Sequence, residues 1–247
     1  FNISSFQPIQ AIRQLSNVKL FSRIGIRKAL VTVQFALSLI FILVVIIVLQ
    51  QRNHVLNADV GVETKNLMGV WINDQVDFDV FAQQVKQIPG VEDVSSSHSA
   101  MLAGGNEGTM AFFNNRSDSL FLNFNMVADN FIDFMDIEML AGEKFPEGVN
   151  TEEEQFIILN ETATKRMGFN QPTDALGKAI MMKGDSEEAL TVIGITKDFH
   201  HHNIWFNPIQ AFALRQGGIF KNKLDIRLEV GSQSETIKAI NNTWDNL

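Results

Sequence analysis

The sequence predicts an α+β protein carried on one transmembrane helix, and three observations lead there. Ala29 to Leu49, ALVTVQFALSLIFILVVIIVL, runs 21 residues without a charge. Charge is unequally distributed about that run. A strand–helix pattern at 67–88 returns at 224–247, and a long β-patterned stretch separates the two copies.

At about 1.5 Å rise per residue, a helix over Ala29–Leu49 crosses the roughly 30 Å hydrocarbon core of a bilayer. Its only polar residues are Thr32, Gln34 and Ser38. Gln34 and Ser38 lie one turn apart, as expected of groups that meet other helices. A buried core helix is usually shorter and seldom apolar all round. A cleaved signal has an apolar region of about 7–15 residues before a small-residue cleavage site. This run is longer and ends in Gln50-Gln51-Arg52-Asn53.

Residues 1–28 hold Arg13, Lys19, Arg23, Arg27 and Lys28 and no acidic residue. The remainder carries 15 basic residues against 28 acidic ones, a net of −13. Positive charge stays cytoplasmic during insertion, so residues 1–28 are expected inside and everything after about Arg52 outside. An acidic exported domain argues against nucleic acid as a partner. Cysteine is absent, which fits an exported domain without disulfides but is weak evidence.

Phe1 is no initiator, which reads as a piece of a longer protein. Ser4-Ser5-Phe6-Gln7-Pro8 reads as a helix start. Ile9, Ile12 and Leu15 then give a short amphipathic helix at the inner surface over Ile9–Ser16, with a disordered linker an equal alternative. Beyond Leu49, Val55 and Leu56 continue the apolar stripe as a stalk toward Gly61.

The outer domain of about 195 residues is long enough for its own core. Leu67–Ile72 is a strand candidate. Asp77 caps a helix over Phe78–Ile88 with Phe78, Phe81, Val85 and Ile88 on one face, and Pro89-Gly90 ends it. Val91–Ser97 returns as a strand. At the far end Leu224, Ile226, Leu228 and Val230 alternate with charged residues, and Ser232–Glu235 is a possible capping box. The next helix sets Ile237, Ile240, Trp244 and Leu247 at the spacing of the first. Two such units imply a split βαβ domain with an antiparallel sheet. The second unit lacks its returning strand, again as a truncated chain would.

Between the units, Ala103–Gly108 reads as a flexible loop and Met110–Phe113 and Leu120–Val127 as strands. Asp129 or Asn130 caps a short helix over Phe131–Met135, and Ala141-Gly142 is a turn. Pro146–Glu154 is an acidic surface loop. Phe156–Leu159 is a strand, Asn160 the cap of a helix over Glu161–Met167, and Gly168 its C′ residue. Lys178–Lys183 and Leu190–Thr196 form a hairpin.

The order of these elements resembles the MacB-like, FtsX-like family of ABC transporter permeases. The stretches that carry the resemblance are Val127–Phe131, Leu140–Phe145, Ile158–Ala163, Ala175–Lys178 and Val192–His200. Within them the family-motif residues are Asp129, Phe131, Gly142, Asn160, Glu161, Gly177, Gly194, Lys197, Asp198 and Phe199, all expected to be structural. Ser4–Pro8 and Arg27–Ser38 resemble the start of the second half of the large duplicated Bacteroidetes permeases.

The resemblance implies a cytoplasmic linker (1–28), a transmembrane helix (29–50) and a periplasmic core domain (51–247). The core domain divides into porter-like units (51–99 and 206–247) around an inserted β-rich subdomain (100–205). It further implies a cytoplasmic ABC ATPase partner, a dimer or pseudo-dimer of permease halves, and a bacterial inner-membrane location. A periplasmic adaptor is a further possible partner. In such machines ATP binding and hydrolysis shift the membrane helices, and the stalk transmits that motion outward. One membrane helix and no ATPase-contacting coupling helix are present, so this stretch does not act alone.

No enzymatic constellation stands out and no cofactor or metal is implied. His200-His201-His202 is the one histidine cluster; adjacent residues of an extended chain point to opposite sides, so a loop at a strand end is the better reading. His54 and His98 are isolated. Asp198 and Asp129 are explained by turn and capping roles. No GxSxG, HExxH or GxxxxGK[ST] pattern occurs. Glu152–Glu154 and Glu187-Glu188 read as solvated faces. The main functional reading is a non-catalytic permease part. The alternative is a ligand-sensing ectodomain on a membrane anchor, and a membrane-anchored hydrolase ranks third.

Overall fold

The computed structural model describes residues 23–56, 60–73, 76–101, 107–113, 117–148, 154–183, 189–202, 208–216, 222–231 and 233–247. The expected amphipathic helix at 9–16, Gly104-Gly105, the hairpin turn at 184–185 and the Ser232 cap lie outside them. The chain divides into two units, Phe1–Ala58 and Asp59–Leu247.

The first unit contains helix α1, Arg23–Leu56. It extends past both ends of the apolar run, because nothing from Gln50 to Leu56 is a helix breaker. Gly25–Asn53, with a mean hydropathy of 2.9 over its most apolar window, is long and apolar enough to cross a membrane. Thr32 Oγ1 donates to Lys28 O (3.0 Å) and Ser38 Oγ to Gln34 O (2.9 Å). These hydroxyls are thus satisfied inside their own helix rather than needing a neighbour.

The second unit holds two sheets. Strands β1 (Leu67–Trp71), β10 (Lys223–Leu228) and β2 (Val91–Ser96) form an antiparallel sheet in the order β1-β10-β2. Helices α2 (Phe78–Lys86) and α5 (Gln233–Asp245) cover one face of it. Asp77 caps α2 as expected, accepting from the amides of Asp79 and Val80. Phe81 and Trp244 meet edge to face at 5.3 Å over Leu224, Ile226 and Leu228. The α5 face is rotated from the expected one. Thr236 and Ile240 are buried and Trp244 packs on the core as expected, while Ile237 and, beyond the helix, Leu247 are exposed; Val230, expected to continue the β10 alternation, is exposed after the strand's end. Thr236 can turn inward because its hydroxyl bonds to Pro89 O (3.3 Å).

The other strands are β3 (Glu107–Phe113), β4 (Asp118–Val127), β5 (Met139–Gly142), β6 (Phe156–Asn160), β7 (Ala179–Met182), β8 (Ala189–Thr196) and β9 (Phe212–Gln216). They are ordered β5-β8-β6-β9-β4-β3-β7, and β7 pairs again with β8. The sheet therefore closes into a six-stranded ring, with β5 attached to the far end of β8. Its side chains of one alternation, including Leu122, Phe124, Ile157, Leu159, Ile180 and Val192, form one core. A second core forms outside the ring around α3 (Phe131–Phe134), Phe145, Phe199 and Phe212.

Several expectations need correction. β9 pairs with β4 and β6 at the middle of the large sheet. The boundary of the inserted part, expected at 205/206, accordingly falls after Gln216. Glu107 and Gly108 belong to β3, because the long partner β4 supplies Phe124 and Asn123 opposite them. Ala141 and Gly142 are strand, beside a bulge against β8. Glu154 is not solvated; it is largely buried and paired with Arg215, whose guanidinium lies 4.6 Å from the Phe124 ring centre.

Ser97 bridges to Val127 and His98 N donates to Met126 O (2.8 Å), joining the small sheet to the barrel. Asn130 does not cap α3 with its side chain. Its Nδ2 donates to Val94 O (2.9 Å) and its Oδ1 accepts from Ser95 Oγ (2.8 Å), so it cements the same seam. Arg227 adds a bond to Phe134 O.

Candidate functional site

A polar cleft lies where the chain, having left α1, first joins the barrel. It measures about 390 Å³ and is lined by Val60–Glu63, Asp136, Glu138, Lys197, Asp198 and His200 among others. The entering segment is held at both ends. His200 N donates to Val60 O (2.9 Å) and Glu63 N donates to Met135 O (2.8 Å). Between them Gly61 has φ +75°, and a Cβ there would stand 3.0 Å from Phe199 Cβ. Gly61 thus allows the backbone to cross the Phe199 ring root.

Phe199 is anchored in turn. It is 2% exposed and meets Phe212 edge to face at 5.5 Å. His201 stacks on the same Phe212 ring at 4.2 Å. Burial, with the neighbouring His202 charge, lowers its pKa from 6.5 to about 3, so it is neutral at physiological pH. Among the described residues no group of three His, Cys, Asp or Glu is arranged to hold a metal ion.

Lys197 and Asp198 close the cleft's rim. Lys197 pairs with Glu138 through both Nζ to Oε2 (2.7 Å) and backbone N to O (2.8 Å). Asp198 Oδ1 accepts from Thr162 N (2.8 Å) and Oδ2 from Thr162 Oγ1 (2.7 Å). Asp198 is therefore a second cap on helix α4 (Glu161–Arg166), supplied from the end of β8. Asn160 is the first cap. Its Oδ1 accepts from Ala163 N and Phe212 N, both at 2.9 Å, and its Nδ2 donates to Gln210 O (2.9 Å). Glu161 pairs with Lys165 one turn on. The amide of Lys65 holds the Glu63 carboxyl below its usual range.

The structure thus gathers Asn160, Glu161, Lys197, Asp198 and Phe199 at the ends of β6 and β8. The other family-motif residues lie elsewhere. Asp129 accepts from Asn130 N (2.8 Å) and Gly148 N (3.2 Å), and Phe131 is the buried first residue of α3. Gly142 and Gly194 pair across β5 and β8. Gly177 donates its amide to Val192 O (2.8 Å) at φ +71°. Sequence reasoning missed Glu63, Asp136 and Glu138 as cleft residues. Asp136, at φ +51°, carries no pattern that separates it from an ordinary surface acid. Sequence reasoning also missed the Lys223–Asp225–Ser97 cluster on β10 and just beyond β2, where burial holds Asp225 above its usual range despite the lysine beside it.

Comparison with known proteins agrees with this architecture. The MacB-like periplasmic core domain family matches residues 34–242. The periplasmic region of MacB from Actinobacillus actinomycetemcomitans is 14% identical, over 74% of this chain and 84% of that one, with a TM-score of 0.50. The extracellular domain of the noncanonic ABC-type transporter YknZ from Gram-positive bacteria is 13% identical, over 73% and 95%, with a TM-score of 0.51. No curated protein matches the chain significantly. With 209 residues inside the family match and a shared fold, the chain belongs to the MacB-like periplasmic core domain family.

Proposed function

We propose that this chain is a non-catalytic permease part of an ABC transporter, which couples a cytoplasmic ATPase subunit to movement of a periplasmic domain in export or envelope remodelling. In this reading residues 1–28 face the cytoplasm, α1 crosses the inner membrane, and the barrel and small sheet lie in the periplasm. The transporter is a dimer or pseudo-dimer of permease halves, and a periplasmic adaptor contacts the outer domain. The observation that carries the reading is the clamp on Val60–Glu63. Val60–Glu63, the first described residues after α1, are fixed by His200 N, Met135 O and Phe199, so a displacement that reaches Val60 passes into the barrel.

The test is a mild-detergent pull-down of the chain from its native membranes with an ATPase assay on the eluate. A co-purifying protein with a phosphate loop and vanadate-sensitive hydrolysis supports the proposal. A preparation free of ATPase that retains a kinase or other signalling protein sinks it and favours the sensor alternative.

A further inference from the structure

Lys197, Asp198, Phe199 and His200 follow the end of β8, and each is tied to a different part of the molecule. Lys197 holds Glu138 through backbone and side chain. Asp198 holds the start of α4 through Thr162. Phe199 packs on Phe212 of β9, and His200 N donates to Val60 O. The segment 60–63 lies against the middle of this run without slack. A Cβ at Gly61 would stand 3.0 Å from Phe199 Cβ, 3.1 Å from Phe199 Cα and 3.2 Å from Asp198 O. Val62 packs against the apolar core around Phe199. Close-packed interiors transmit strain, so a shift of segment 60–63 pushes on the backbone of Asp198 and Phe199.

Helix α4 is the element such a shift reaches. It has six residues, too few to persist on its own hydrogen bonds. The first amides of a helix have no partner inside it, and here two are held from outside. Ala163 N is held by Asn160, whose side chain also binds Phe212 N and Gln210 O. Thr162 is held by Asp198, through N at 2.8 Å and Oγ1 at 2.7 Å. Such bonds are lost when the partners draw apart by about 1 Å. The two caps therefore differ in what positions them. Asn160 is fixed by the barrel, and Asp198 by its neighbours' contacts with segment 60–63.

We propose that Asp198 is a positioning residue through which segment 60–63 sets the first turn of α4. Displacing the segment draws the Asp198 carboxylate away from Thr162 and frees that turn, while Asn160 keeps the rest of the helix in place. Lys165 and Arg166 of the same helix are exposed, so the freed turn alters a solvent-facing surface of the barrel. What displaces the segment in the working protein rests on the coupling proposed above. The link itself is tested without an ATPase, so its failure leaves that coupling standing, and a failure of the coupling leaves the link.

The test is residue-resolved hydrogen exchange on the full chain in lipid nanodiscs. Gly61→Ala crowds Phe199 and Asp198 O. It is expected to speed exchange at Thr162 N at least about fivefold, the effect of one lost hydrogen bond, and to change Ala163 N and the β6 amides by less than about twofold. Asp198→Ala is expected to speed Thr162 N by a similar factor. Adding Gly61→Ala to it is expected to do nothing more at that amide, because both changes break the same link. A carboxylate that only caps the helix gives two independent effects that multiply. Val62→Ala loosens the segment without strain and is expected to speed Thr162 N at least about threefold, which keeps the test valid should Gly61→Ala fold poorly. An unchanged Thr162 N in the segment variants, a rise shared by the β6 amides, or multiplying effects in the double variant overturns the proposal.

Discussion

Gly142 and Gly194 show how much a single side chain is worth in the β5–β8 contact. Gly142 has φ +77°, and a Cβ there would run into the carbonyl of Ile193 and stand 2.8 Å from Gly194 Cα. Neither neighbour is a flexible chain end. Gly142→Ala is therefore expected to destabilise the domain by about 2–3 kcal/mol, through positive-φ strain and displaced backbone. Chemical denaturation of the purified chain reads this directly, and an effect below about 0.5 kcal/mol contradicts it. His201 gives a residue-scale dependence on pH. Its folded pKa of about 3 lies below the unfolded 6.5, so the folded state resists protonation. Its contribution is present above pH 6.5 and is lost as pH falls toward 3, at up to about 1.4 kcal/mol per pH unit. His201→Phe preserves the stack on Phe212 and removes the proton site. The loss of stability between pH 7 and pH 5 is expected to shrink in that variant, and an unchanged slope rules the histidine out.

At the scale of elements, Asn160 ties three of them together: the end of β6, the first turn of α4 and the start of β9. Asn160→Ala strands the buried amides of Ala163 and Phe212, for an expected cost of about 2–4 kcal/mol. Asp198→Ala removes only the outer cap and is expected to cost about 1 kcal/mol. Comparing the two by denaturation tests the ranking. Legibility from sequence also follows the elements. The cap at Asp77, the cap at Asn160 and the C′ glycine at 168 are local, so short windows contain the whole cause. β9 was illegible because Phe212–Gln216, FALRQ, is buried on both faces and lacks alternation, and its partners lie about 50 and 90 residues away. The cleft at Val60–Glu63 was illegible for the same reason, since 135–138 and 197–200, which line it, lie far away in the sequence.

At the scale of the whole molecule, the charge asymmetry makes a claim about topology. In the proposed topology the basic flank at 1–28 keeps the N-terminal end of α1 inside. Absence of cysteine makes the chain its own blank for labelling. In intact cells, Ser5→Cys is expected to be protected from a membrane-impermeant maleimide and to react only after the membrane is opened. Glu229→Cys, an exposed site next to β10, is expected to react at once. Reversed labelling would place the acidic domain in the cytoplasm and remove the basis for a periplasmic partner. The same cells test the span. Ile40→Arg puts a charge near the middle of the apolar run, at an insertion cost of about 2.5–3.5 kcal/mol. If α1 is held chiefly by lipid, this variant is expected to leave membranes on alkaline extraction while the parent stays. If neighbouring membrane helices or an ATPase hold it, both remain, and the anchor is then set by the assembled transporter rather than by α1 alone.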